Sequence, residues 1–139
     1  MWGSVYVNNP YRYRQPEIVS GAYGDVNGDG MTDYVYLTAV KSADPSSPYV
    51  EQITLNIQDG LTRKVQTIPL DESGNSGYQP TVFLGDFTKD GIKDILISID
   101  SGGSGAFTYN YIYSFVNNQA RKLFDFDQYN QVNQYTVTY

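Results

Sequence analysis

Residues 24–36 read GDVNGDGMTDYVY. Acidic or amide side chains stand at every second position, Asp25, Asn27 and Asp29, with Gly30 next and Asp33 three residues later. Such a run turns sharply and gathers oxygen atoms inward, which is how a short segment surrounds a hard cation. The next residues, YVYLTAV at 34–40, are apolar and β-branched or aromatic, and read as a strand rather than a helix. A metal loop opening directly into a strand therefore decides the fold class, and the rest of the chain agrees with it.

Val, Ile, Thr, Phe and Tyr recur in period-2 alternation, whereas no segment sustains a 3.6-residue period. Strands are expected over 18–23, 34–40, 49–58, 61–70, 81–85, 95–99, 107–116, 119–126 and 132–139. Asp59-Gly60 and Asn117-Asn118 each separate two such runs and tolerate the positive φ angles of a tight two-residue hairpin. SADPSSP at 42–48, DESGNSG at 71–77 and SGGSG at 101–105 are loops by composition. The expected fold is all-β.

The opening loop has a second copy. Gly24 to Asp33 recurs as Gly85-Asp86-Phe87-Thr88-Lys89-Asp90-Gly91-Ile92-Lys93-Asp94, an offset of 61, and Asp59-Gly60-Leu61-Thr62-Arg63-Lys64 matches Asn117-Asn118-Gln119-Ala120-Arg121-Lys122 at an offset of 58. The slippage falls in the loop that is longer in the first copy. Each unit is strand, acidic loop, strand, loop and hairpin: four strands in about 60 residues, the size of a propeller blade. The 139 residues divide into an extension at 1–16, a first repeat at 17–70, a second at 71–126 and a terminal strand at 127–139, all in a single domain.

Charge and composition narrow the function. The net charge of −6 argues against a nucleic-acid partner, because phosphates are held by clustered Lys and Arg, which are few and scattered here. Six of the fifteen acidic residues sit in the two loops, so the negative charge is concentrated where a counter-charge is needed. The absence of Cys and His removes thiolate and imidazole metal sites, disulfides and Ser-His or Cys-His catalysis. No stretch approaches the ~18 apolar residues of a membrane span, and the first residues lack the pattern of a secretion signal.

An oxygen-only donor set points to calcium. The candidate ligands are Asp25, Asn27, Asp29, the Met31 carbonyl and Asp33 in the first loop. In the second they are Asp86, Thr88, Asp90, the Ile92 carbonyl and Asp94. Thr88 is a poorer donor than an amide or carboxylate oxygen, so two sites are expected, the second weaker. The helix-loop-helix calcium motif is excluded twice over. Its closing bidentate Glu would fall on Tyr36 and Ile97, and both lie in strand-like runs.

The pattern resembles the FG-GAP or VCBS-type repeat, the calcium-binding blade unit of integrin α-subunit propellers and of many bacterial surface proteins. The resemblance rests on the Asp-x-Asn/Asp-x-Asp-Gly-x-x-Asp loop followed by DYVYL in one copy and DILIS in the other, and covers about residues 17–126. It implies blade-like sheets, the ligand roles just given, and a place outside the cell. Propellers of this family usually close a ring of about seven blades, and two blades alone leave edges and faces to cover. Either the flanking SVYVNN and VNQYTVTY segments cover them, or another copy of the chain does, giving an oligomer or a fibre.

In FTYNYIYSFV, Phe107, Tyr109, Tyr111, Tyr113 and Phe115 share one strand face. Core packing is the expected role for this stripe, with sugar stacking as the alternative. Glu17, Glu51 and Glu72 show no spacing that brings two carboxylates together for glycosidase chemistry. The SGGSG stretch lacks the Lys and the helix of a phosphate cradle. The sequence thus reads as a non-catalytic, calcium-stabilised β module for adhesion or assembly at a cell or spore surface. A fibre subunit joined by strand addition and a carbohydrate-binding module are the alternatives. Its partners would be a protein or glycan surface ligand, or further copies of itself.

Overall fold

In the computed structural model, residues 14–70, 74–102 and 108–127 are described. Eight strands follow one another: β1 (Pro16–Gly24), β2 (Asp33–Lys41), β3 (Tyr49–Gln58), β4 (Val65–Pro69), β5 (Gly77–Gly85), β6 (Asp94–Asp100), β7 (Thr108–Ser114) and β8 (Arg121–Asp127). All pairings are antiparallel, in the order β1-β2-β3-β5-β6-β7-β8, with β4 on β3. The start of β3 pairs with β5 through Tyr49↔Tyr78 and Val50↔Gly77, and its end pairs with β4. The result is an open sheet made of two four-stranded, blade-like units, as the repeat implied. The strand expected at 132–139, Phe107 and the two flanking segments lie outside the described residues.

The two units repeat in register. Gly24↔Asp33 closes the first acidic loop and Gly85↔Asp94 the second. β1 bulges between Ile18 and Ser20, and β5 between Tyr78 and Thr81, close to the repeat-equivalent place. A bulge re-aims the strand locally. Ser20, beside the first bulge, accepts a hydrogen bond from the Val82 amide of β5 at 3.1 Å.

The buried face is not the same in the two units. In β2 the alternating buried apolar residues are Val35, Leu37 and Ala39; in β6 they are Ile95, Ile97 and Ile99, the equivalents of Tyr34, Tyr36 and Thr38. Opposite faces therefore meet, as pages stack, and form one core that also takes in Leu55, Ile57, Val82, Tyr111, Tyr113 and Phe115. Each fully buried aliphatic side chain in it contributes about 1.5–3 kcal/mol of transfer free energy.

The aromatic stripe of β7 belongs to this core. Tyr111, Tyr113 and Phe115 are buried and Tyr109 packs against the cluster. The Tyr111 hydroxyl donates to the Gly74 carbonyl at 3.0 Å, so its polar end is satisfied in the loop before β5.

The two hairpins differ, against the sequence expectation. Asn117 and Asn118 both have positive φ, 57° and 59°, and Gln119 donates to the Val116 carbonyl, a tight two-residue turn. The first hairpin is longer: the Asp59 amide donates to Lys64, Arg63 donates back to the Asp59 carbonyl, and the positive φ of 67° falls on Arg63. Consequently β4 begins at Val65 rather than Leu61, and the match at offset 58 is one of residue types, not of turn geometry. Gly60 serves another purpose.

Candidate metal centre

In the first loop, Asp25 folds back on the chain. Its two carboxylate oxygens accept the amides of Gly28 and Gly30, both at 2.8 Å. Asn27 Oδ1 accepts the Asp29 amide at 3.2 Å, and Asp29 accepts that of Met31 at 2.8 Å. Gly28 and Gly30 take φ of 83° and 87°, the left-handed conformation glycine adopts without a Cβ penalty. Met31 itself sits exposed at the loop's exit.

Asp33 closes the loop from the first position of β2 and is fully buried, at 0% exposure. One oxygen accepts the Val26 amide at 2.9 Å and the other the Gly60 amide at 2.8 Å. A Cβ on Gly60 would lie 1.8 Å from the Thr32 carbonyl oxygen. Glycine is needed there for the close approach of the β3–β4 hairpin to the loop, not for turning the chain. The hairpin brings Asp59 with it. Asp59 holds its own turn by accepting the Leu61 and Thr62 amides, while its other oxygen lies 3.4 Å from the Asn27 amide nitrogen.

The second loop repeats the scheme with its own atoms. Asp86 accepts the amides of Asp90 at 3.0 Å and Gly91 at 2.8 Å, and Asp90 accepts that of Ile92 at 2.9 Å. These backbone donors, Gly91 above all, hold the Asp86 carboxyl below its ordinary value. Asp94, at 1% exposure, directs one oxygen to the amides of Phe87 and Thr88, both at 2.9 Å, and to the Thr88 hydroxyl at 3.0 Å. Lys89 occupies the place of Gly28 and adopts a φ of 63°.

Among the described residues, two groups of three carboxylates have oxygens within 4.8 Å of one another: Asp29, Asp33 and Asp59, and Asp86, Asp90 and Asp94. The second comprises residues picked out by sequence. The first leaves Asp25 to the loop amides and adds Asp59, which the sequence reading assigned to a turn. Its signal was the pairing of β3 with β2: once Tyr34 lies opposite Gln58, the residue that follows β3 must meet the loop entering β2. In both groups the donors are oxygens alone, and three like charges this close favour a divalent cation among them. The donor set fits calcium.

The two loops also touch. A Cβ on Gly24 would meet Leu84 and Lys93, and one on Gly28 would lie 2.9 Å from the Ile92 side chain. Asn27 donates further to Asn118 at 3.2 Å, in the hairpin of the second unit. Thus the first loop contacts both hairpins and the second loop.

The model of the FG-GAP-like repeat matches residues 25–97, from the first loop through most of β6. The uncharacterized protein YybI of Bacillus subtilis (strain 168) is 42% identical over 141 residues, which cover 99% of this chain and 52% of that protein. The chain therefore spans about half the length of this relative. No solved structure matches. With both acidic loops in matching register, each entering the second strand of a four-stranded unit, the chain belongs to the FG-GAP-like repeat family.

Proposed function

We propose that this protein is a non-catalytic β module stabilised by calcium, working in adhesion or assembly at a cell or spore surface. The observation that carries the reading is the pair of three-carboxylate groups at equivalent places, each where an acidic loop enters a strand. Asp25, Asn27, Asp29, the Met31 carbonyl and Asp33, joined by Asp59, would hold one ion. Asp86, Thr88, Asp90, the Ile92 carbonyl and Asp94 would hold another. Thr88 supports the weaker second site, since its hydroxyl already donates to Asp94. A bound ion supplies positive charge that offsets the carboxylate repulsion, so binding and folding are coupled.

The chain's own part is structural. Asp33 and Asp94 fix the loop amides, the glycines allow the turns, and Gly60 lets the first hairpin dock. Loops of this kind suit calcium-rich surroundings outside the cytosol. The clustered acids are engaged with loop amides, and Glu17 pairs with Lys41 at 3.4 Å on the surface, which supports a non-catalytic role. Sugar stacking on the β7 tyrosines loses support, because Tyr111 and Tyr113 lie in the core.

Thermal melting with calcium and with a chelator tests the reading. A higher midpoint in calcium supports it, and identical midpoints together with no calorimetric binding would remove it.

A further inference from the structure

Two stacked units bury one face of each against the other, so each keeps one outer face, and the two outer faces are of different kinds. On β1 and β2 the outer face carries Tyr23, Tyr34 and Tyr36, stacked with ring centroids 4.5 and 4.7 Å apart. Tyr34 lies over Gly21, where a Cβ would come within 2.9 Å of its hydroxyl, and Tyr23 is 72% exposed. On the second unit, Phe83, Leu96 and Ile112 form a row across β5, β6 and β7, paired Phe83↔Leu96 and Leu96↔Ile112. Phe83 is 51% exposed.

These two faces are counterparts of the pair that already packs inside the molecule. Tyr34 and Tyr36 stand where the second unit has the buried Ile95 and Ile97; Phe83 and Leu96 stand where the first unit has Ala22 and the buried Val35. We infer that the occupant of the tyrosine face is the Phe83 face of a second copy of this chain, stacked as the second unit stacks on the first within one molecule. This deepens the assembly part of the reading above and is independent of the metal.

Two features of the tyrosine face favour a protein partner over a sugar. Tyr34 stacks on both Tyr23 and Tyr36, so the central ring offers no open face, whereas sugar stacking needs open ring faces. The amide of Asn56 on the same face is already engaged, donating to Thr38 at 3.1 Å and accepting from Thr67 at 2.9 Å, so covering it strands no polar group there. Joining two different faces is a head-to-tail contact, which propagates into a ring if the rotation closes and a filament if it does not.

Such a contact makes a specific demand on mixtures. Tyr23→Glu blocks one face and Phe83→Glu the other, so each variant alone should sediment as a monomer. Mixed in equal amounts, they retain one complementary pair of faces and should form a one-to-one dimer and nothing larger. Wild-type chain should form larger species at the same concentration, and Tyr23→Phe and Phe83→Leu should behave as wild type. Sedimentation velocity in calcium and in chelator reads all of these, with circular dichroism melts identifying any variant that fails to fold; Tyr36→Glu and Leu96→Glu then replace it. A monomeric wild-type chain overturns the inference, since another occupant then covers the faces. So do variants that still self-associate, or a mixture that stays monomeric. The melts report on calcium and the mixtures on the faces, so either can fail alone.

Discussion

The two acidic loops share a sequence pattern but do different structural work. The second keeps its hydrogen bonds to itself: Asp94 takes the amides of Phe87 and Thr88 from its own loop. The first is a junction: Asp33 divides its oxygens between Val26 in the loop and Gly60 in the β3–β4 hairpin, Asp59 joins the carboxylates, and Asn27 reaches Asn118. One loop braces a pair of strands, and the other ties a whole unit together and links it to its neighbour. Copying a sequence motif thus does not copy its connections, because those depend on where the next hairpin lands.

The largest effect should come from breaking the junction at its buried centre. Asp33→Ala removes the acceptor of two amides, Val26 and Gly60, and each such loss costs about 1–3 kcal/mol. Chemical denaturation should show a loss of about 4 kcal/mol. Hydrogen exchange should quicken at Gly60 and Leu61 as well as in the loop. Asp94→Ala should instead quicken exchange at Phe87 and Thr88 and leave the β7–β8 hairpin protected. Equal spread of exchange in both variants would erase the distinction between the loops.

Next in size is Gly60→Ala. Its methyl would meet the Thr32 carbonyl oxygen, and the hairpin must withdraw, at a cost of about 3 kcal/mol read from denaturant midpoints. The same change at Gly30 or Gly91, where a Cβ has open space around it, costs only the left-handed backbone term of about 1–2 kcal/mol. A Gly60→Ala variant as stable as wild type would mean that glycine is there only for a turn.

Asp59→Asn removes one of the charges proposed to hold the first ion and should weaken calcium there by roughly 10-fold or more, leaving the second loop unchanged. Calorimetry resolves the two sites. Smallest is Lys89→Gly, which relieves a left-handed lysine that the first loop avoids by having Gly28. Less the entropy of an added glycine, it should stabilise the chain by about 0.5–1 kcal/mol.

Much of this architecture was legible in the residues. Period-2 alternation located the strands from β1 to β8, and the spaced aspartates located both loops, because each is a local signal with a local cause. The face reversal also shows in the residues, since Ile95 and Ile97 of ILISI fall where YVYLTAV has Tyr34 and Tyr36, although its meaning depends on how the two units stack. What escaped was Asp59-Gly60. An Asp-Gly pair is equally suited to a tight turn, a capped longer turn and a close backbone approach, and only the pairing of β3 with β2 selects among them. Leu61 to Lys64 likewise alternate well enough for a strand, yet the Asp59 carboxylate holds Leu61 and Thr62 in the turn.

In the proposed function calcium stabilises this fold through two unequal sites, the junction loop binding more tightly. Calorimetric titration of the chelator-treated chain, paired with its thermal melt, tests it most directly. Two binding events are expected, the tighter abolished by Asp29→Ala, with a rise in stability of about 2.7 kcal/mol per site at 100-fold excess over the dissociation constant. No binding heat and an unchanged melting midpoint would contradict it.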